Sequence, residues 1–165
     1  MLVVLGGLPG TGKTTIARRL SERLGAAHVR VDSITAAMSK AGVDPGQSTG
    51  LASYVVAEAV AEECLRAGTP VVVDAVNPVG AARRQWHELA ARTGDRLRVV
   101  EVVCPDEAEH RRRLETRAED LAGERPTWAD VAARVYEPWD EPRLVVDTLE
   151  PLDACLAQVE EYVRA

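Results

Sequence analysis

The sequence predicts an α/β fold of three layers, with helices on both faces of a five-stranded parallel sheet, and three observations carry that expectation. Short apolar runs alternate with longer amphipathic stretches along the chain, the pattern of successive βα units. A glycine-rich turn joins the first apolar run to the first helical pattern. The 165 residues and 46% apolar content fit one compact domain over 1–165, with no repeat, low-complexity block or long linker dividing it. A chain of this length buries about 70% of its unfolded surface, so its core needs no disulfide or structural metal.

The elements follow in order. Leu2 to Leu5 is the first strand, and Lys13 to Leu24 the first helix, with Ile16, Leu20 and Leu24 at helical spacing and Gly25 just past its end. His28 to Val31 is a strand and Ser33 to Lys40 a helix. Ala41 to Gly50, with three glycines and Pro45, is expected as a surface segment before the helix Leu51 to Ala67. Pro70 to Val73 is a strand, Gly80 to Thr93 a helix, Leu97 to Val103 a strand and Asp106 to Arg117 a helix. The charged, Gly123-containing stretch Ala118 to Pro126 is again surface, followed by a helix at Trp128 to Tyr136, a strand at Arg143 to Val146 and a helix at Leu152 to Val163.

Composition excludes several functions. The net charge of −6 arises mainly at the carboxyl end, where Glu137 to Ala165 holds 8 acidic and 2 basic residues, so no duplex-coating basic face is indicated. Apolar runs such as Val71-Val72-Val73 are far too short to span a membrane. The chain opens directly into Met1-Leu-Val-Val-Leu-Gly-Gly, without the basic leader of a secretory signal, so a cytoplasmic location is expected. Cys64, Cys104 and Cys155 have no paired spacing and are expected as core thiols. His28, His87 and His110 lack metal-ligand spacing and are expected to be ordinary structure.

Gly7-Leu-Pro-Gly-Thr-Gly-Lys13-Thr14 fits G-x-x-x-x-G-K-[ST] between a strand and a helix, the setting this phosphate-binding loop requires. Glycines let successive backbone N–H groups turn inward on an anion, which the helix N-terminus also favours. Lys13 is then placed for the β- and γ-phosphates of a bound nucleotide, and the Thr14 hydroxyl for Mg²⁺. A guanine-reading N-K-x-D element is absent, and Val71-Val-Val-Asp74 is followed by Ala75 rather than the glutamate of a mechanical ATPase. Asp74 is a second candidate for the Mg²⁺ shell, or else a turn aspartate ahead of Asn77-Pro78.

Val29-Arg-Val-Asp32 puts a carboxylate at the carboxyl end of the second strand, where the ligand crevice of an open α/β sheet lies. Asp32 is the candidate general base for a substrate hydroxyl. The alternative is a plain N-cap for the helix near Ser33, and the two roles are compatible. Arg113 and Arg117, one helical turn apart, are candidates to reach a phosphate chain when the following loop closes as a lid. Their alternative is a solvated face paired with Glu109, Glu115 and Glu119, which suits Arg111 and Arg112 better. Trp86, Trp128 and Trp139 have no regular base-stacking spacing and are expected in the core or as loop anchors.

Gly7 to Thr15, Val31-Asp32, Val73-Asp74-Ala-Val-Asn77, Arg113-Leu-x-x-Arg117 and Pro126-Thr-Trp128 through Tyr136-Glu-Pro-Trp139 together resemble one family over nearly the whole chain. It is the "predicted kinase" group of small bacterial P-loop kinases of AAA type, related to chloramphenicol phosphotransferase, zeta toxins and the kinase domain of polynucleotide kinase. The resemblance implies a P-loop NTPase fold of the nucleoside-monophosphate- and shikimate-kinase-like type, with a short lid near 118–126. It implies phosphorylation of a hydroxyl by ATP with Mg²⁺ and with Asp32 as base. The implied nucleotide set is Gly7, Leu8, Pro9, Gly10, Thr11, Gly12, Lys13, Thr14, Thr15 and Arg117, with Asp147, Thr148 and Leu149 flanking adenine. Unlike shikimate kinases the second strand continues Asp32-Ser-Ile34 rather than Asp-x-Asp, and unlike adenylate kinases Thr14 follows the loop lysine.

Asp32, Asn77, Arg83, Arg84 and part of Ala41 to Gly50 are expected to form the pocket of a small-molecule or nucleoside-like acceptor, in a monomer or homodimer. The alternatives are an ATP-gated regulatory or toxin-like interaction module and a 5′-hydroxyl nucleic-acid kinase, although 165 residues leave no room for the phosphatase domain that polynucleotide kinases usually carry.

Overall fold

The structure is a computed structural model that describes residues 1–43, 49–116 and 126–165. The elements are β1 (Leu2–Gly6), α1 (Lys13–Leu24), β2 (Ala27–Arg30), α2 (Val31–Lys40), α3 (Thr49–Arg66), β3 (Val71–Asp74), α4 (Gly80–Thr93), β4 (Leu97–Val103), α5 (Glu107–Thr116), α6 (Trp128–Ala132), β5 (Leu144–Asp147) and α7 (Leu152–Arg164). The sheet order is β2-β3-β1-β4-β5 and every pairing is parallel.

The first strand is thus the central one, and its side chains alternate between the two faces. Leu2 and Val4 join Val71 and Val73 under α3 and α4, against Ala57, Ala61 and Trp86. Val3 and Leu5 join Val72 and Val100 under α1 and α7, against Ile16, Leu20 and Val159. These two apolar layers make the three-layer α/β fold. They fix the carboxyl ends of β1, β3 and β2 side by side, at the reversal of strand order where open α/β sheets bind ligands.

Most element boundaries match the sequence pattern, Gly25 included, which closes α1 with φ 60°. Two differ for physical reasons. Val31 opens α2 instead of ending β2: Arg30 is the extended N-cap residue, and Asp32 lies inside the first helical turn rather than capping it. The helix at Trp128 stops at Ala132 rather than Tyr136, because the following residues leave to pack Tyr136 and Trp139 against β4 and β1. Arg117 and the expected lid, apart from its last residue Pro126, lie outside the described residues. Part of the expected Ala41 to Gly50 segment, residues 44–48, also lies outside them. Cys104 and Cys155 are buried, Cys64 is partly so, and all three are free thiols.

Candidate functional site

Residues 7–12 bridge β1 and α1. At Gly7 φ is 139°, and a Cβ would fall 2.2 Å from the Val102 carbonyl oxygen, so only glycine lets the loop leave β1 there. Gly12 is the N-cap of α1 with φ 94°. The loop is braced from within, since Thr11 Oγ1 and Lys13 Nζ each donate to the Leu8 carbonyl at 2.9 Å. It is also braced from two distant elements. His110 of α5 bonds the Pro9 carbonyl through Nε2 at 2.7 Å, with Trp128 edge-on to its ring. Thr148, after β5, bonds the Thr11 carbonyl through Oγ1 at 2.9 Å. Arg113 grips Thr148 twice, Nη1 on Oγ1 at 2.9 Å and Nη2 on the carbonyl at 3.0 Å, while Glu109 takes its Nε.

The loop floors a cavity of about 560 Å³. Pro9, Gly10, Gly12, Lys13, Thr14, Thr15, Asp32, Arg113 and Thr148 line it, so nine of the expected site residues meet there. Gly7, Leu8 and Thr11 belong to the base of the loop rather than to the cavity lining. Arg18, Glu150, Leu152 and Cys155 also line the cavity, beyond the loop. Sequence reasoning missed these four and His110; Arg18 is one helical turn beyond Thr14, Glu150, Leu152 and Cys155 follow Thr148, and His110 is one helical turn before Arg113, so position relative to the motifs was the only signal.

Asp74 ends β3 beside the loop and is 3% exposed. Burial alone would raise its carboxyl, but His28, the Lys13 charge and the Thr14 hydroxyl outweigh it and hold the group below its ordinary value. His28 Nε2 and Arg30 Nε stand 3.7 Å from Oδ2, beyond hydrogen-bond reach. Among the described residues Asp74 Oδ2 is thus a buried carboxylate oxygen without a hydrogen-bond partner, and the Asp74 carboxyl lies next to a helix-borne threonine hydroxyl. A small hard cation that keeps most of its waters fits that donor set, which is the habit of Mg²⁺.

Two acceptor candidates are corrected. Asn77 is fully buried, and its side chain is spent on the framework: Nδ2 donates to the Leu5 carbonyl at 3.1 Å and Oδ1 accepts Trp86 Nε1–H at 2.9 Å. Arg83 is 6% exposed and bonds four carbonyls, those of Asn77, Pro78, Glu137 and Pro138, with its guanidinium stacked 4.0 Å over Trp139. Arg84 is exposed on α4 and does not line the cavity. Arg111 and Arg112 pair with Glu115 and Glu109, as a solvated face does.

The profile of the AAA domain family matches residues 2–138. An uncharacterized protein of Mycobacterium tuberculosis is 32% identical over 114 residues, covering 62% of this chain and 22% of that protein, so the match spans about a fifth of its relative. A sugar kinase from Janibacter superimposes with a TM-score of 0.75 at 17% identity, over 99% of this chain and 94% of the other. The APS kinase CysC of Mycobacterium tuberculosis, in complex with AMPPNP and APS, gives a TM-score of 0.75 at 20% identity, over 99% and 97% of the two chains. Among the described residues no helix is long and apolar enough to cross a membrane. The five-stranded parallel sheet, the phosphate loop and the matched residues agree: the chain belongs to the AAA domain family and has the P-loop kinase fold.

Proposed function

We propose that the protein transfers the γ-phosphoryl group of ATP to the hydroxyl of a small molecule, with Asp32 as the general base. The observation that carries this reading is the position of Asp32 in the same cavity as Lys13, Thr14 and Arg113. A cavity that only held a nucleotide would not require a carboxylate facing its phosphates.

The loop amides and Lys13 hold the β- and γ-phosphates, with Lys13 exchanging its bond to the Leu8 carbonyl for a phosphate oxygen. Thr14 and Asp74 would hold Mg²⁺, which supplies charge neutralisation on the phosphates. Thr148, fixed by Arg113 and the Thr11 carbonyl, sets the wall beside the nucleoside. Arg113 keeps its cation at the cavity, where negative charge spreads over the transferred group. Asp32 accepts the acceptor proton as the new oxygen–phosphorus bond forms.

The test is ATP-dependent phosphate incorporation across a set of hydroxyl acceptors, comparing wild type with Asp32→Asn. Loss of transfer at unchanged nucleotide affinity supports the reading. Near-normal transfer by Asp32→Asn would remove Asp32 as the base.

A further inference from the structure

His110 of α5 stands behind the phosphate loop. It is 5% exposed, it does not line the cavity, and its Nε2 lies 2.7 Å from the Pro9 carbonyl oxygen. A carbonyl oxygen only accepts, so Nε2 carries a proton and donates it. The ring is fixed on other sides as well. Trp128 meets it edge-on, with 5.2 Å between ring centroids. Gly10 is seated so closely on it that a Cβ there would fall 3.2 Å from His110 Cδ2 and 3.3 Å from Leu114 Cβ. Gly10 itself has φ 87° and lines the cavity.

The Pro9–Gly10 peptide is trans, and in a planar trans unit the C=O and the following N–H point in opposite directions. With its carbonyl drawn back onto His110, which stands outside the cavity, this unit turns the Gly10 N–H forward. The neighbouring carbonyls are held from different quarters. That of Leu8 is taken inside the loop by Thr11 Oγ1 and Lys13 Nζ. That of Thr11 accepts Thr148 Oγ1–H, and Thr148 is in turn held by Arg113, one helical turn after His110. One face of α5 therefore fixes two peptide units of the loop, the first directly and the second through Thr148.

We propose that His110 is a positioning residue for the phosphates of the bound nucleotide: its Nε2–H fixes the Pro9 carbonyl, and the carbonyl aims the Gly10 N–H at a phosphate oxygen. The ligand it serves is a diphosphate or triphosphate chain, because the contact it sets is to phosphate alone. This deepens the kinase reading above, and it rests on the phosphate half of that reading and not on Asp32. His110 touches no phosphate itself. Glutamine at this position keeps an Nε2 donor, whereas methionine fills the space without one.

The experiment compares wild type, His110→Gln and His110→Met, all three verified as folded by circular dichroism. Calorimetry measures the binding of Mg-ADP and of inorganic pyrophosphate, and nitrogen-15 spectra follow the Gly10 amide. Affinity for both ligands should fall about tenfold in His110→Met, the worth of one charge-assisted hydrogen bond, and return in His110→Gln. Pyrophosphate should move the Gly10 amide in wild type and in His110→Gln, and move it less in His110→Met. Unchanged affinity in His110→Met, equal losses in the two variants, or a Gly10 amide that pyrophosphate leaves unmoved in wild type overturns the assignment. Should His110→Met fail to fold, the wild type decides: the Nε2–H tautomer of His110 together with the Gly10 shift supports the assignment, and the Nδ1–H tautomer overturns it. Binding of neither ligand to wild type overturns the phosphate site, and His110 with it. Transfer that survives Asp32→Asn removes the base and leaves His110 in place.

Discussion

The two halves of the crevice are built by opposite means. The phosphate half is one contiguous stretch, residues 7–15, whose conformation follows from its own glycines and short-range bonds, with His110 and Thr148 as outside braces. The other half is assembled from α2, α3, the β3–α4 turn and the segment after α6, and bonds such as Asn77 to Leu5, 72 residues apart, hold it together. A local motif survives modest shifts of the sheet. A long-range assembly moves with every element that feeds it, so small changes matter most in that half, where the acceptor is proposed to bind.

The sharpest way to break this comparison is at the base. Asp32→Asn should lower transfer about 10²- to 10⁴-fold at unchanged nucleotide affinity, the usual range for loss of a general base. Asp74→Asn should shift the Mg²⁺ dependence as well as the rate, measured by a metal titration of turnover. Next comes the phosphate half: Lys13→Ala should cost about 10²- to 10³-fold, in line with removal of a single transition-state donor, and leave the circular dichroism spectrum intact.

In the framework of the acceptor half, Asn77→Ala leaves the Leu5 carbonyl and Trp86 Nε1–H buried and unpaired. It should cost about 1–3 kcal/mol per orphaned group in chemical denaturation and raise the acceptor KM more than that of ATP. Arg113→Lys keeps the charge but loses the fork on Thr148, so the KM of ATP should rise by about tenfold at most.

The smallest effect is a pH dependence. Arg112 and Arg113 hold the Glu109 carboxylate at about 2, below its ordinary 4.5. Its contribution is complete above pH 4.5 and disappears as the pH falls through about 2. Acid titration of the melting temperature should therefore be shallower over that window in Glu109→Gln. Equal slopes would show that the brace on Arg113 does not depend on this carboxylate.

How much of the site was legible depended on how locally each residue acts. Lys13, Thr14 and Asp32 are positioned by their own strand ends, and they line the cavity. Arg113 was legible as a cavity cation, but its partner Thr148, 35 residues away, followed only from resemblance. Asn77 and Arg83 looked like ligands because polar side chains near a strand end usually face the crevice. Tertiary packing instead closed Trp86 and Trp139 over them, with Trp139 seated where a Gly6 side chain would be, 2.5 Å from its Cβ position.

By itself the sequence determined the α/β class, nearly every helix and strand, and the phosphate half, because hydrophobic period and glycine conformational freedom act over a few residues. Only the tertiary structure decided the strand order β2-β3-β1-β4-β5, the left-handed turn at Asn77 and the strap of Tyr136 to Trp139 across β1 and β4. These depend on buried polar groups finding partners tens of residues away, and a buried donor or acceptor must be satisfied wherever in the chain its partner happens to be.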